Sequence, residues 1–390
     1  MPDNRLQILI SAGEASGDLH AARLAEALRT RTGAEFFGMG GPRMRSAGVE
    51  IAVDCQEVAV FGLFEAWLRI PSVLRALRRL EDEARRRKPA LAILVDSSGI
   101  HLPLGKRLKR QGIRLVYFIS PQVWAWRRYR VRTIRNLFEK VLVIFPFEEA
   151  FYQREKIPAE FVGNPLVDEV HATQSRQEFA AAHGLDPSRP IITVLPGSRR
   201  SELRFHLPVL AETMRNLATS GHLQFVVAAA AGLSREDFAP LFSAGVPFKL
   251  VADETYNALA AADCAIVSSG TATVEAALLG APMVVVYRLS AFTAALARWL
   301  VHTRTFAMVN LIAGRKIVPE LIQNDFTSAR VAAEVRRLLE DPAAVREMKS
   351  HLAEIRTRLG SGGAIERAAE AIARLLAEKP SGNPADIRAL

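Results

Sequence analysis

What most limits the fold of this chain is a series of short, unbroken apolar runs, each followed by a segment with helical spacing. The runs are LQILI (6–10), EFFGM (35–39), LAILV (91–95), RLVYFI (114–119) and VLVIF (141–145), then IITVL (191–195), QFVVAAA (224–230), FKLV (248–251), CAIV (264–267) and PMVVVY (282–287). Runs without polar alternation suit parallel strands covered on both faces, and their alternation with helices predicts βαβ units. Between the two sets of runs lies VGNPLVDEVHATQSRQEFAAAHGLDPSRP (162–190), which has prolines, polar residues and one short helical piece, as a boundary does. The chain therefore reads as α/β, with two doubly wound domains at 1–165 and 166–365. Residues 366–390 read as a C-terminal helix and loose tail that packs back on the first domain.

A length of 390 residues suits two domains of ~150–200 residues each. With 49% apolar residues there is material for two cores, which excludes a disordered chain. Cys55 and Cys264 have no CxxC partner and the eight histidines show no metal-ligand spacing, so a reducing compartment without a metal site is expected. The start, MPDNRLQILI, is too polar for a signal peptide, and no run of about 18 uncharged apolar residues is present. These features predict a cytoplasmic protein that does not span a bilayer. Charge is uneven: residues 1–165 hold 27 Lys and Arg against 18 Asp and Glu, whereas residues 166–390 hold 24 against 23. A one-sided basic excess favours an anionic partner.

In doubly wound sheets, ligands bind outside the carboxyl ends of the strands, so the residues that follow each run carry the function. After CAIV comes SSGTATVEAALLGAP, where Ser268, Ser269, Gly270 and Thr271 open a helix, with Thr273 among the candidate binding residues and Glu275 one turn inside. Small hydroxyls and free N–H groups there suit a diphosphate, and a glutamate farther in can accept from ribose hydroxyls. An ordinary Ser/Thr cap is the alternative. After IITVL comes PGSRRSEL, with Ser198 and Arg199 at the mouth of another helix. A planar guanidinium there could neutralise charge on a leaving phosphate, or simply pair with Glu202 at the surface. Two such loops in one domain favour nucleotide binding, although neither a P-loop nor a GxGxxG motif is present.

In the first half, LAILV ends in Asp96, a carboxylate at a strand tip where a general base, or a helix cap, can sit. The neighbouring loop, SAGEASGDLH (11–20), has the shape of a phosphate cradle but carries Glu14 and Asp18 and no lysine. Those acids make sense where hydroxyl-bearing substrate is received, with the phosphate-holding loops in the other domain. ISPQVWAWRRYRVRTIRN (119–136) interleaves Trp124, Trp126 and Tyr129 with arginines, and VAVFGLFEAWLRIPSVLRALRRL (58–80) contains an amphipathic segment. The first could stack on bases and the second could rest in a membrane interface, or each could pack on its own sheet.

Taken together, AGEASGD (12–18), GGPRM (40–44), PQVWAWR (121–127), LPGSR (195–199), SGTATVEAALLGAPMVVVYR (269–288) and NLIAGRKIVPELIQ (310–323) resemble the lipid-A-disaccharide synthases. That family consists of inverting glycosyltransferases of the GT-B type, whose two Rossmann-like domains face across a cleft. The resemblance implies a reaction between UDP-2,3-diacylglucosamine and 2,3-diacylglucosamine 1-phosphate, without a cofactor, giving the β(1→6)-linked lipid A disaccharide 1-phosphate and UDP. It implies Asp96 as base, Arg199 with Ser198 and the 268–273 loop on the diphosphate, Glu275 on the ribose, and Asn310 and Gln323 near the donor. Glu14, Ser16, Gly17 and Asp18 would shape the acceptor pocket.

Three positions depart from the family pattern. DSSGIH lacks the second acid and the Asn that many members carry after the strand-end Asp, Asn164 replaces a usual His, and Val309 replaces a Pro. Lifting an acceptor with two chains of about 14 carbons from a bilayer would cost on the order of 20 kcal/mol. Peripheral work at the anionic cytoplasmic face of the inner membrane is therefore expected, with the basic first half and the patch Val60–Arg79 as the contact. A homodimer is compatible with the sequence. The rival readings are a UDP-N-acetylglucosamine 2-epimerase, which would share the diphosphate site, and a nucleic-acid-binding module. The second explains the arginines but not the paired loops, so no nucleic-acid partner is expected.

Overall fold

A computed structural model of the chain describes residues 5–58, 63–121, 123, 129–219, 221–290 and 305–378, with backbone alone at 15 and 63–69. The chain divides into two compact units, Met1–Pro165 with Gly362–Leu390, and Leu166–Ser361.

The first unit carries a seven-stranded parallel sheet of β1 (Gln7–Ala12), β2 (Glu35–Gly40), β3 (Glu50–Asp54), β4 (Leu91–Val95), β5 (Arg114–Phe118), β6 (Lys140–Val143) and β7 (Ala159–Phe161). Its order is β3-β2-β1-β4-β5-β6-β7. The second unit carries β8 (Ile191–Leu195), β9 (Gln224–Ala229), β10 (Lys249–Ala252), β11 (Cys264–Ser268), β12 (Met283–Tyr287) and β13 (Glu320–Ile322). Its order is β10-β9-β8-β11-β12-β13, also all parallel. Both sheets are doubly wound, as the apolar runs predict, and each has one point where the strand order reverses: between β1 and β4, and between β8 and β11.

The unbroken apolar runs follow from burial on both faces. Leu9, Phe37 and Leu94 point into one layer, with Leu77, Leu80 and Leu104. Ile8, Ile10, Ile93 and Val95 point into the other, with Leu24 and Leu28. Each such side chain contributes roughly 1.5–3 kcal/mol by leaving water. The C-terminal helix Ala364–Ala377 adds Ala368, Ala369, Ala371, Ile372 and Leu375 to the second layer, against helix Ala15–Thr32. Ion pairs Arg31–Glu366 at 2.7 Å and Arg374–Glu160 at 2.9 Å flank it. Exposed pairs of this kind contribute roughly 0–1 kcal/mol each, so the alanine-rich face does most of the holding.

Helix Leu63–Arg87 has two uses along its length. Ala76, Leu77, Leu80 and Ala84 are buried on the sheet, while Ile70 and Leu74 stay 47% and 40% exposed beside exposed Arg75 and Arg78. Phe61, Trp124 and Trp126 lie outside the described residues, as do the side chains of Phe64 and Trp67. Among the described residues no helix is long and apolar enough to cross a membrane.

Candidate active site

Most of the sequence-predicted residues lie at the reversal points of their own sheets; Asn310 lies on helix Met308–Ala313 and Gln323 follows the edge strand β13. In the first unit, β1 ends at Ala12 and β4 at Val95, and these two residues are paired. The turns that follow touch: a Cβ on Gly13 would lie 2.9 Å from Ser97 Oγ, so only glycine allows the approach. Gly17 packs one turn later, where a Cβ would meet Ala12 at 3.4 Å. Glu14 and Ser16 are exposed at the start of helix Ala15–Thr32.

Asp96 and Ser97 both adopt the left-handed region, with φ of 54° and 44°. Non-glycine residues rarely do so without surrounding structure that enforces it. Here the enforcement is a pair of donors on one oxygen. Tyr117 Oη–H and His101 Nδ1–H each donate to the Asp96 carbonyl at 2.7 Å. A carbonyl only accepts, so the His101 proton sits on Nδ1 and Nε2 accepts from Ser11 Oγ at 3.0 Å. Full burial lowers the His101 pKa to about 4, keeping the ring neutral in this role. The Asp96 carboxylate is thereby aimed by its own locked backbone. Burial raises its pKa, while the Ser97 N–H and His20 pull the other way. A carboxylate of raised basicity at a strand tip is suited to accept a proton.

Asp18 has a different use from a ligand contact. It is 2% exposed, and its carboxylate accepts from the backbone N–H groups of Gly41 (2.6 Å), Arg43 (2.9 Å) and Met44 (3.2 Å). It thus ties GGPRM to the first loop and shapes the region without meeting a ligand. Asn164 is likewise buried and donates to the Ile144 carbonyl at 3.3 Å.

In the second unit, β8 leads through Pro196, Gly197, Ser198 and Arg199 into helix Arg200–Ala218. Gly197 has φ 130°, and a Cβ there would strike Glu202 Oε2 at 2.7 Å. Glu202 lies buried beneath the turn, accepting from Ser198 N–H at 2.9 Å and Arg199 N–H at 3.3 Å. The Arg199 side chain is 73% exposed and approaches Glu202 only to 3.5 Å, which leaves most of its donors open. His206, absent from the sequence expectations, braces the same turn. Its Nδ1–H donates to the Pro196 carbonyl at 2.7 Å, so Nε2 accepts from Arg288 N–H at 2.9 Å. Burial lowers its pKa. The Arg288 guanidinium holds the Gln323 carbonyl (3.1 Å) in a left-handed turn, φ 55°, and the Gln323 amide makes no hydrogen bond among the described residues.

Beside that turn, β11 opens into the serine–glycine loop. Gly270 and Thr271 are exposed, and Ser269 Oγ donates to the Phe306 carbonyl at 2.9 Å. Thr273 is fully buried and donates to the Gly270 carbonyl at 2.8 Å, so it closes its own loop and does not face a ligand. Glu275 lines a pocket of about 300 Å³ with His171, Thr173, Tyr256 and Asn257. Burial, helped by Glu169, raises its pKa to about 7. Asn310 is also spent on structure. Its amide donates to Val318 O (3.0 Å) and Glu320 Oε1 (2.7 Å) and accepts from Ile317 N–H (2.8 Å) and Val318 N–H (3.0 Å). That uses its whole capacity, so it fixes the IVPEL segment and does not line a site. Among the described residues no group of three His, Cys, Asp or Glu side chains is placed to hold a metal ion.

Two doubly wound sheets with polar loops at their reversal points define the GT-B class of sugar-transferring enzymes and its epimerase relatives. The solved fold of a putative UDP-N-acetylglucosamine 2-epimerase from Listeria monocytogenes matches with a TM-score of 0.67 at 13% identity, covering 96% of this chain and 98% of that one. The glycosyltransferase of kitacinnamycin matches with a TM-score of 0.62 at 18% identity, covering 95% and 99%. The sequence is more specific: the lipid-A-disaccharide synthetase family model matches residues 8–375, and the chain belongs to that family. The lipid-A-disaccharide synthase of Geobacter sulfurreducens is 42% identical over 376 residues, covering 96% of this chain and 98% of its own. The chain is accordingly a glycosyltransferase of lipid A biosynthesis.

Proposed function

We propose that this chain transfers 2,3-diacylglucosamine from its UDP derivative to the 6-hydroxyl of 2,3-diacylglucosamine 1-phosphate in one inverting displacement. The observation that carries this reading is Asp96: a carboxylate at the reversal point of the first sheet, on a backbone locked by His101 and Tyr117, with its basicity raised by burial. It would take the proton of the attacking hydroxyl as the bond to the anomeric carbon forms. UDP departs with the electron pair of the broken C–O bond, so the second unit has to hold the diphosphate. The Arg199 guanidinium, the Ser198 hydroxyl and exposed Gly270 and Thr271 face outward for this, and Glu275 in its pocket suits the ribose hydroxyls. Orientation and charge stabilisation then account for the catalysis, with no protein nucleophile.

Purified protein incubated with both acylated sugars should release UDP only when both are present. Release from the UDP-sugar alone, or conversion of UDP-N-acetylglucosamine alone, would replace this reading with the epimerase. Because the acceptor's acyl chains favour the bilayer, we place the work at the cytoplasmic face of the inner membrane, with Ile70 and Leu74 of helix Leu63–Arg87 entering the interface beside Arg75 and Arg78. Ile70→Glu with Leu74→Glu should abolish cosedimentation with anionic vesicles; unchanged binding and activity would remove this face from the proposal.

A further inference from the structure

We infer that Arg130 receives the phosphate of the acceptor, making it the residue that selects a phosphorylated sugar over a neutral one. This rests on the transfer reaction proposed above. Arg130 stands at the start of helix Tyr129–Leu137, half-buried, and its Nη1 donates to Ser98 Oγ at 2.9 Å. Ser98 is two residues from Asp96, so the guanidinium borders the loop that carries the base. Its other contact among the described residues is the face of its neighbour Tyr129, at 5.8 Å, a ring that is 73% exposed.

The other half-buried arginines of this unit each meet a strong acceptor: Arg29 holds the carbonyls of Ala47 at 2.7 Å and Gly48 at 3.2 Å, Arg367 holds that of Val162 at 2.8 Å, and three others face acids. Arg87 lies against Glu83 at 2.9 Å, Arg107 against Glu81 at 2.7 Å and Arg114 against Glu139 at 2.8 Å. Among the described residues Arg130 has neither a carboxylate nor a carbonyl, only the Ser98 hydroxyl and the Tyr129 ring. A partly desolvated cation without a counter-charge is unfavourable, and an anion arriving at the site relieves it. The guanidinium has five N–H donors in a planar fork, and a single one is engaged by Ser98, which leaves an edge free for two oxygens of a phosphomonoester. The hydroxyl bond also fixes the side chain beforehand, so less rotamer freedom is lost when the phosphate binds.

The same chemistry could meet a lipid headgroup phosphate, and the experiment separates the two sources. Transfer is measured with 2,3-diacylglucosamine 1-phosphate and with the same sugar lacking the phosphate, for the wild type, Arg130→Gln and Arg130→Lys. Arg130→Gln should raise the KM for the phosphorylated acceptor roughly 10- to 100-fold, the range of a charge-assisted hydrogen bond, and leave the donor KM unchanged. With the dephosphorylated acceptor, wild type and Arg130→Gln should perform alike, and Arg130→Lys should recover part of the preference. Binding to anionic vesicles without acceptor should stay the same in all three. Equal losses with both acceptors, or a parallel loss of vesicle binding, would overturn the assignment. If Arg130→Gln melts early, Arg130→Lys against wild type gives the same comparison: a fork-to-ammonium change that leaves the phosphate preference untouched also overturns it. A wild type that transfers to neither acceptor refutes the proposed reaction itself, a distinguishable result.

Discussion

If Glu275 accepts hydrogen bonds from both ribose hydroxyls, one on each oxygen, it does so ionised, and its surroundings oppose ionisation near neutrality. Its pKa is raised to about 7 by burial in its pocket, with Glu169 adding repulsion. Donor binding then carries a proton cost that grows as pH falls. The apparent dissociation constant is the intrinsic value divided by the ionised fraction, which is about 0.9 at pH 8 and about 0.09 at pH 6 for a pKa near 7. Affinity should therefore drop about 10-fold between pH 8 and pH 6, or about 1.4 kcal/mol. UDP itself is a poor ligand for this test, because its terminal phosphate titrates near pH 6. UDP-N-acetylglucosamine, whose diphosphate is esterified at both ends, is suitable. Titration calorimetry at several pH values should show the drop in the wild type and a flat profile in Glu275→Gln, with weaker binding at pH 8. Equal affinity at pH 6 and pH 8, or the same slope in the variant, would refute the ribose assignment.

The same group affects stability with the opposite sign. An unfolded glutamate releases its proton near 4.5, and the folded one near 7. Within that window the native state holds a proton that the unfolded chain has lost, so stability falls as pH rises. The upper limit is about 3 kcal/mol, less whatever the half-exposed carboxyl keeps of its hydration. Glu275→Gln should thus melt higher than wild type at pH 8 and level with it near pH 4. A variant that gains stability while losing donor affinity is the signature of a group kept for binding.

Asp96→Asn should lower kcat roughly 10²- to 10⁴-fold with the donor KM unchanged and without a lower melting temperature, since burial already works against the charged carboxylate. The acid limb of the wild-type rate profile should lie above the ordinary aspartate range, because burial raises the pKa of this group. A variant that keeps most of its turnover would remove Asp96 as base. Asp18→Ala should strand three N–H groups, two of them buried, and cost about 2–4 kcal/mol, read as a lowered melting temperature; a change under about 0.5 kcal/mol would mean the GGPRM loop is held by other contacts.

Each of the ten apolar runs became a strand of a parallel sheet; nine are readable because they are buried on both faces, and β10, a partly exposed edge strand, through its apolar FKLV run alone. Three strands were not visible. β3 (EIAVD), β7 (AEF) and β13 (ELI) close the edges of their sheets; they are short, partly exposed and carry acids, so they lack the unbroken apolar signature. The site loops were readable for a related reason, since polar residues just beyond a buried strand stand at the end where ligands bind. What the sequence could not decide was which polar side chains face outward. Asp18, Thr273 and Asn310 look as suited to a ligand as Glu275 or Arg199, yet each is consumed by backbone groups. The partners of Asp18 are Gly41–Met44 and those of Asn310 are Ile317–Glu320, brought near only by folding. His101 shows the converse. Five residues after Asp96, on a helix face that faces the core, it reads as an ordinary buried residue. Its function appears only because Asp96 turns left-handed, which returns the Asp96 carbonyl to the imidazole one helical turn later. The strained residue and its brace are thus a local pair, and a strand-end acid followed at i+5 by a histidine on an apolar face is a pattern by which a locked carboxylate of this kind can be recognised.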